Sequence, residues 1–514
     1  MKRHLSIILM VLLACSMAGC ENADYGISRA ENQLGAYSNT GEEEKQVLPA
    51  RDHISMVYYE DMDCNPLTTT NSENHELLKL VYSPLIRLNG ALVAEYVLAE
   101  GVEAAGTEVK ITLRSGLLFS DGSPLTASDV AASFKTVRAS ADSPYAARLA
   151  NVKSFSVIDE RTLAVTLKEP DADFINCLDI PVMQQKGSAG CGPYQFSEMN
   201  GKRVLIPNPY YFIQPQISVI ELKKPADEQE RQNMFSVGLL DVYFTPAESS
   251  LVFSSGKDYR VQTYPGDNLL YLGVNCRNGV LSRAEIRAFL NTLIEREKIT
   301  DTVLLGQAQE TAYPFQPAWY KAEGLTQEKA WTDLEKKEQA AALGLNLTEN
   351  SLQDENGAQL AFTLLVAEES AVQRDVAQAV ADSLALSGIK ISLEKVSRAE
   401  YNTRLAAGQF DLYLGEVKTG RTLNTALYAA GSGINYGGFA SEELEGAAAQ
   451  YRTGSLSLTE YAAVFDRYTP LFPLAYRQGV LFAASDIGTF QSTGTWALYG
   501  DITKLTTLET EIKS

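Results

Sequence analysis

The sequence predicts an α/β protein of more than one domain, and three observations carry that prediction. The chain has 514 residues, more than one hydrophobic core accommodates. Hydrophobic residues make up 45% and charged residues 21%, the balance of a folded globular protein. Stretches that alternate with period two are interleaved with stretches of helical period along the whole length, which is the pattern of mixed helices and strands.

The chain opens "MKRHLSIILMVLLACSMAGC", in which Lys2 and Arg3 precede an apolar run ending at Ala18 and Gly19. This reads as an export signal over residues 1–19, since the run is shorter than a span of about 20 apolar residues and stops at a cysteine. "SMAGC" resembles the lipobox of bacterial lipoproteins, which implies a diacylated Cys20 as the first mature residue and attachment through acyl chains. Met17 stands where that pattern usually has leucine. Loss of Lys2 and Arg3 takes the formal charge from −20 to −22, a surface that repels nucleic acid and anionic headgroups, so no nucleic-acid partner is expected. Residues 20–50 have few large aliphatics, no periodicity and the acidic run Glu42–Glu44, and read as a flexible tether reaching roughly 30 Å.

The folded part begins with "HISMVYYE" (53–60), an alternating strand. "ENHELLKLVYSPLIRL" (73–88) carries Leu77, Leu80, Val81 and Leu85 at helical spacing, with Pro84 interfering, and "EVKITLRSG" (108–116) alternates again. In "LRSGLLFSDGSPLTASDVAASF" (113–134), Asp121-Gly122 signals a turn and Pro124 sets φ for the next. Thr126 and Asp129 then form a capping box opening a helix with Val130, Phe134 and Val137 on one face, so both aspartates are expected to be structural. "TLAVTLKEP" (162–170) is a strand, "RAEIRAFLNTLIEREKITDTVL" (283–304) one strong helix, and 370–396 a helix, a stop at Gly388 and a strand. Apart from the lipidated Cys20, four cysteines remain in the mature chain, and an exported protein can oxidise them; Cys177 with Cys191 closes the shortest loop and is the preferred pairing, against buried free thiols.

The 113–134 stretch resembles the signature segment of the extracellular solute-binding proteins, family 5, which serve ABC importers of peptides, nickel and other solutes. Further landmarks follow in that family's order: "LVYSPLIRLNG" (80–90), "GCGPYQF" (190–196), "IPNPYYF" (206–212), "LGVNCRN" (272–278), "SGIKISLEKVSRAEYNTRLAAGQFDLYLG" (387–415) and "INYGGF" (434–439). The resemblance implies a two-lobed periplasmic-binding-protein type II fold with a two-strand hinge, solute being engulfed as the lobes close. Residues 51–270 and 480–514 are expected to form the first lobe and 271–479 the second, with crossings near "LYLGVN" and "AYRQGVLFAA".

The same resemblance places Thr70, Asn71 and Ser72 on the cleft, together with Asn435, Tyr436 and Tyr476. Peptide-binding members carry a tryptophan and an amine-capturing aspartate after the "DLYLG" strand; here that stretch reads "GEVKTGR", with Glu416 at the tryptophan position and Lys418 and Arg421 around the aspartate's. Either Glu416 takes the amine, or Lys418 and Arg421 bind an anion such as a carboxylate, or these charges are merely solvated. The implied partners are a peptide or other small solute, ABC permease subunits with their ATPases, and the membrane through the lipid anchor; a monomer is expected and no cofactor is implied.

Other classes fare poorly. Ser387–Lys390 matches Ser-x-x-Lys and Lys418–Gly420 matches Lys-Thr-Gly, but Ser387 is expected to end a helix rather than begin one, and no Ser-Asp-Asn follows. No resident metal site is expected, with only His53 and His75 in the mature chain, though His75 leaves room for a metal-chelate solute. A non-peptide anionic solute, or a receptor coupled to signalling instead of transport, remains as an alternative.

Overall fold

The computed structural model describes residues 47–48, 50–247, 258–325, 331–490, 494 and 497–511. The signal segment, Cys20 and nearly all of the tether lie outside the described residues. Leu48–Thr510 forms one compact unit; of the other, Met1–Val47 with Glu511–Ser514, only Val47 and Glu511 are described.

In chain order the elements that position the site are β1 (His53–Val57), α1 (Ser72–Leu78), β2 (Ala99–Ala105), β3 (Glu108–Leu113), α2 (Ala127–Ala139), β4 (Val152–Val157), β5 (Thr162–Leu167), β6 (Tyr194–Met199), β7 (Lys202–Pro207), β8 (Val219–Lys223) and β9 (Val242–Thr245). They are followed by β10 (Tyr259–Val274), α3 (Ala284–Thr292), β11 (Ala308–Glu310), β12 (Ala361–Ala367), α4 (Ala371–Leu386), β13 (Lys390–Val396), β14 (Leu412–Lys418), α5 (Glu442–Arg452), α6 (Leu458–Tyr468) and β15 (Leu471–Ala484). One mixed sheet runs β13-β12-β14-β10-β15-β9-β1-β8-β7-β6, with β11 on β15, and a separate antiparallel sheet runs β2-β3-β5-β4.

Two long strands tie the halves of the large sheet together. Tyr259–Pro265 of β10 pairs antiparallel with Gln478–Ala484 of β15, whose end also pairs with β9. Leu269–Gly273 pairs with Leu471–Tyr476 and, on its other side, with β14. Between these blocks Gly266, Asp267 and Asn268 stand opposite Arg477 alone, a bulge that bends the ribbon where it passes from one half to the other. The cores divide at the same place: Ile54, Leu205, Ile220, Val242 and Leu481 pack on one side, Leu272, Leu364, Val380, Leu412 and Phe472 on the other. This is a two-lobed α/β fold hinged on two strands.

Local reasons for the hinge strands are visible in their glycines. Tyr271 of β10 lies opposite Gly415 of β14, and Gly273 lies opposite Tyr413, so each ring covers the partner glycine and a Cβ there would overlap it. The Tyr271 and Tyr413 hydroxyls meet at 3.3 Å, which stitches the second lobe to the crossing strand.

The capping box forms as expected: Asp129 accepts from the Thr126 amide at 2.9 Å and its hydroxyl at 3.0 Å. Asp121 accepts from the Ser123 amide and hydroxyl at 2.9 and 2.6 Å, closing the turn before it. Two helical expectations need correction. The 73–88 helix stops at Leu78 and the chain turns through Tyr82 before Pro84. The single helix over 283–304 is interrupted after Thr292: the Glu295 amide turns to the Ser383 hydroxyl at 2.7 Å, and half-buried Arg296 donates to the carbonyls of Asn291, Thr311 and Pro473. Tertiary hydrogen bonding there overrides helical periodicity. The preferred Cys177–Cys191 disulfide is not formed; both are buried free thiols, Cys191 turned to the carbonyls of Ser83 and Val182, and burial pushes each up to about 12.

Candidate functional site

The two lobes meet along a seam between segment 171–179 of the first and residues 421–452 of the second. The Ala172 amide donates to the Arg452 carbonyl at 2.8 Å, and the Asn176 side chain donates to the Arg421 carbonyl at 3.2 Å. Asp173 accepts from the Tyr451 hydroxyl at 2.9 Å and from the Leu423 amide at 3.4 Å. Half-buried Trp319 packs against the core of either lobe.

A charged cluster fills the middle of this seam. Helix α1 begins because Asn71 accepts the Asn74 amide at 2.8 Å, and one turn later it delivers His75, Glu76 and Lys79 to the seam. Lys79 pairs with Glu76 at 2.5 Å. The His75 ring lies tilted against Tyr145 at 5.2 Å, and Arg148 lies 4.5 Å over the Tyr145 ring. Arg148 grips Asp179 through both oxygens, at 2.5 and 3.2 Å, and Arg421 reaches the same carboxylate from the second lobe. Burial, with Lys79, Arg148 and Arg421 close by, holds His75 well below its usual range, so the ring is neutral. Its Nδ1 is buried without a hydrogen-bond partner among the described residues.

The residues expected on the cleft divide sharply. Arg421 is partly buried in the seam, whereas Lys418 is exposed at the end of β14, so the two do not form one anion site. Glu416 is bound by Asn268 at 3.0 Å and Gln373 at 3.2 Å and faces Arg477 at 3.6 Å. Those contacts brace β10, α4 and β15 at the hinge and occupy the carboxylate. Asn435 braces its own loop through Ala429 and Phe439, and Tyr436 packs edge-on against Tyr413 at 6.0 Å. Tyr476 is fully buried in the second lobe beside Thr419 and Asp267. Thr70 and Ser72 are exposed at the start of α1. Sequence reasoning missed Tyr145, Arg148 and Asp179, and it named His75 only as a possible chelate contact. Ser387 caps the end of α4 and Lys390 opens β13, so the Ser-x-x-Lys spacing does not form a helical nucleophile pair.

The sequence profile of the bacterial extracellular solute-binding proteins, family 5 middle, matches residues 94–430. The chain belongs to that family. Among family 5 relatives it is 22% identical to the oligopeptide-binding protein AppA of Bacillus subtilis over 433 residues, 77% of each chain. It is 26% identical to the glutathione-binding protein GsiB of Salmonella typhimurium over 285 residues, 51% of this chain and 55% of the relative. In structure it is similar to the nickel ABC transporter from Bacillus halodurans (TM-score 0.72, 19% identity, 89% of this chain and 100% of that one). It is likewise similar to the murein tripeptide binding protein MppA in its unliganded open form (TM-score 0.71, 17% identity, 91% and 99%). These neighbours show the type II periplasmic-binding-protein fold, and the family places the chain among solute-binding proteins outside the cytoplasm.

Proposed function

We propose that this chain is the substrate-binding component of an ABC importer, that it captures a short peptide between its lobes and hands it to a membrane permease, and that a diacylated Cys20 and the 20–50 tether hold it to the membrane as a monomer. The lobes are residues 51–270 with 480–514, and 271–479. The observation that carries this reading is the seam: two lobes joined by two strands face each other across buried, chemically selective groups, the arrangement a closing solute trap requires. The named specificities of AppA and MppA, an oligopeptide and a murein tripeptide, support peptide as the solute class. Presentation of a surface made of both lobes lets the permease read closure. Metabolic energy enters through the partner ATPases.

One observation favours a second reading. Glu416, the acid nearest the position where peptide binders hold the α-amine, is engaged at the hinge, while Arg421 faces the seam. A non-peptide carboxylate solute fits that polarity. The test is thermal unfolding of mature protein, from about residue 21, with mixed di- to hexapeptides, non-peptide carboxylates, or nickel chelates. A solute at about 1,000 times its Kd adds about 4 kcal/mol to stability. A rise with peptides alone supports the first reading, and a rise with non-peptide carboxylates alone replaces it with the second.

A further inference from the structure

Two partly buried guanidiniums share one carboxylate at the seam. The Asp179 side chain is 4% exposed and is enclosed by Arg148 from its own lobe and Arg421 from the other, themselves 15% and 13% exposed. Arg148 holds the planar carboxylate as a two-point fork that an ammonium does not match, and Arg421 adds one contact from the other lobe; together they form a receptor for that group. The other charges facing the pair are partnered or silent. Lys79 is taken by Glu76, Asp267 lies within electrostatic range of Arg148, and His75 is neutral. Beside Asp179 lies a cavity of about 30 Å³, lined also by Lys79, Arg87 and Pro181. That is room for about one water molecule, and Lys79 and Arg87 on its wall keep cations around a carboxylate that tilts toward it.

We propose that Asp179 stands in for the solute: a carboxylate of the incoming ligand takes its place between Arg148 and Arg421, and Asp179 turns toward Lys79 and Arg87. This rests on the reading of the chain as a lobe-closing solute trap and sharpens it, because it requires the solute to carry a free carboxylate. It also makes Asp179 an internal competitor. The same contact that draws the empty lobes together lowers the apparent affinity for solute, so a weakly held anion does not displace Asp179.

The test uses mature wild-type protein, Asp179→Asn and Arg421→Gln, each checked for native circular dichroism. Three probes are titrated: di- to hexapeptides free of Asp and Glu with free C-termini, the same peptides amidated at the C-terminus, and non-peptide carboxylates. The expected result is a preference of wild type for free over amidated C-termini by about tenfold or more. Removal of the competitor in Asp179→Asn tightens free-carboxylate binding by a similar factor, and Arg421→Gln abolishes the preference. Equal binding of free and amidated peptides overturns the carboxylate assignment while leaving peptide capture intact. Weaker free-carboxylate binding by Asp179→Asn overturns the stand-in role and makes Asp179 a positioning residue. Silence with all three probes in natively folded wild type overturns the carboxylate assignment together with the peptide reading. A response to non-peptide carboxylates alone keeps the assignment and replaces only the peptide reading.

Discussion

Asp129 and Asp179 are both buried carboxylates of the first lobe, 8% and 7% exposed as whole residues, and both are enclosed by donors. Their partners differ in kind. Asp129 accepts from Thr126 and from the Gln185 amide at 3.0 Å, all neutral groups of its own lobe. Asp179 accepts from two arginines, one of which arrives from the other lobe. The first carboxylate keeps its bonds for as long as the lobe is folded, whereas under the proposed lobe closure the second loses one partner whenever the seam parts. Burial alone therefore does not distinguish an acid held within one lobe from one that bridges two; the origin of its partners does.

The largest effect is expected where no movement can relieve the loss. Asp129→Ala removes the reciprocal half of a capping box and leaves the Gln185 amide without its acceptor, so urea unfolding should show a loss of about 2–3 kcal/mol. The relative response to free and amidated peptides should not change. A loss under about 0.5 kcal/mol would contradict the fixed role assigned to it.

Arg421→Gln tests the other side of the comparison. Breaking a buried ion pair in a rigid interior costs about 3–5 kcal/mol, because the abandoned charge cannot reach water. Here the lobes can part and rehydrate Asp179 and Arg148, so unfolding should lose only about 1–2 kcal/mol, with a larger radius of gyration in small-angle scattering. A full loss with unchanged scattering would mean that the seam does not open.

The sequence was most legible where structure is local. The Asp121 turn, the Thr126–Asp129 box and the Gly388 stop, whose φ is +73°, each depend on neighbours a few residues away. The family landmarks carried the two-lobed fold, and the Tyr271–Gly415 and Gly273–Tyr413 pairs give a packing reason for two of them. The seam was largely illegible for the opposite reason. Arg148, Asp179 and Arg421 are separated by 31 and 242 residues and have no periodic signature. Glu416 had the right residue type at the right place, but Asn268, Gln373 and Arg477, from three other elements, had already occupied it.

A second cross-lobe carboxylate sharpens the comparison through pH. Burial raises Asp173 from the ordinary 3.8 to about 7, with Asp171 and Glu323 adding repulsion and the Tyr451 hydroxyl and Leu423 amide opposing; Arg452 lies by Asp171. Between about pH 4 and 7 the folded chain therefore holds a proton that the unfolded chain has released. This contribution favours the folded, closed seam at the acid end and is lost as pH rises to about 7. The side chain is only partly buried, so the expected fall in stability from pH 5 to 7.5 is about 1 kcal/mol or less. Asp173→Asn should flatten that slope, and an equal slope in the variant would assign it to other groups.

The smallest expected effect is none at all, and it discriminates well. A Cys177–Cys191 bridge would close a loop of about 15 residues and contribute about 3 kcal/mol, so reductant would lower the melting temperature by several degrees. With both thiols buried and free, reductant should leave melting unchanged, and a thiol reagent should reach Cys191 only as the protein unfolds. Cys177 sits just before Asp179 in the seam segment, where Arg148 and Arg421 exert a weak pull against the burial that raises its pKa. If the seam opens, Cys177 should label faster than Cys191, which lies deep in the first lobe against Ser83 and Val182. Arg421→Gln should widen that gap; equal slow labelling of both thiols in wild type and variant would mean that the motion inferred for Asp179 does not reach its own segment.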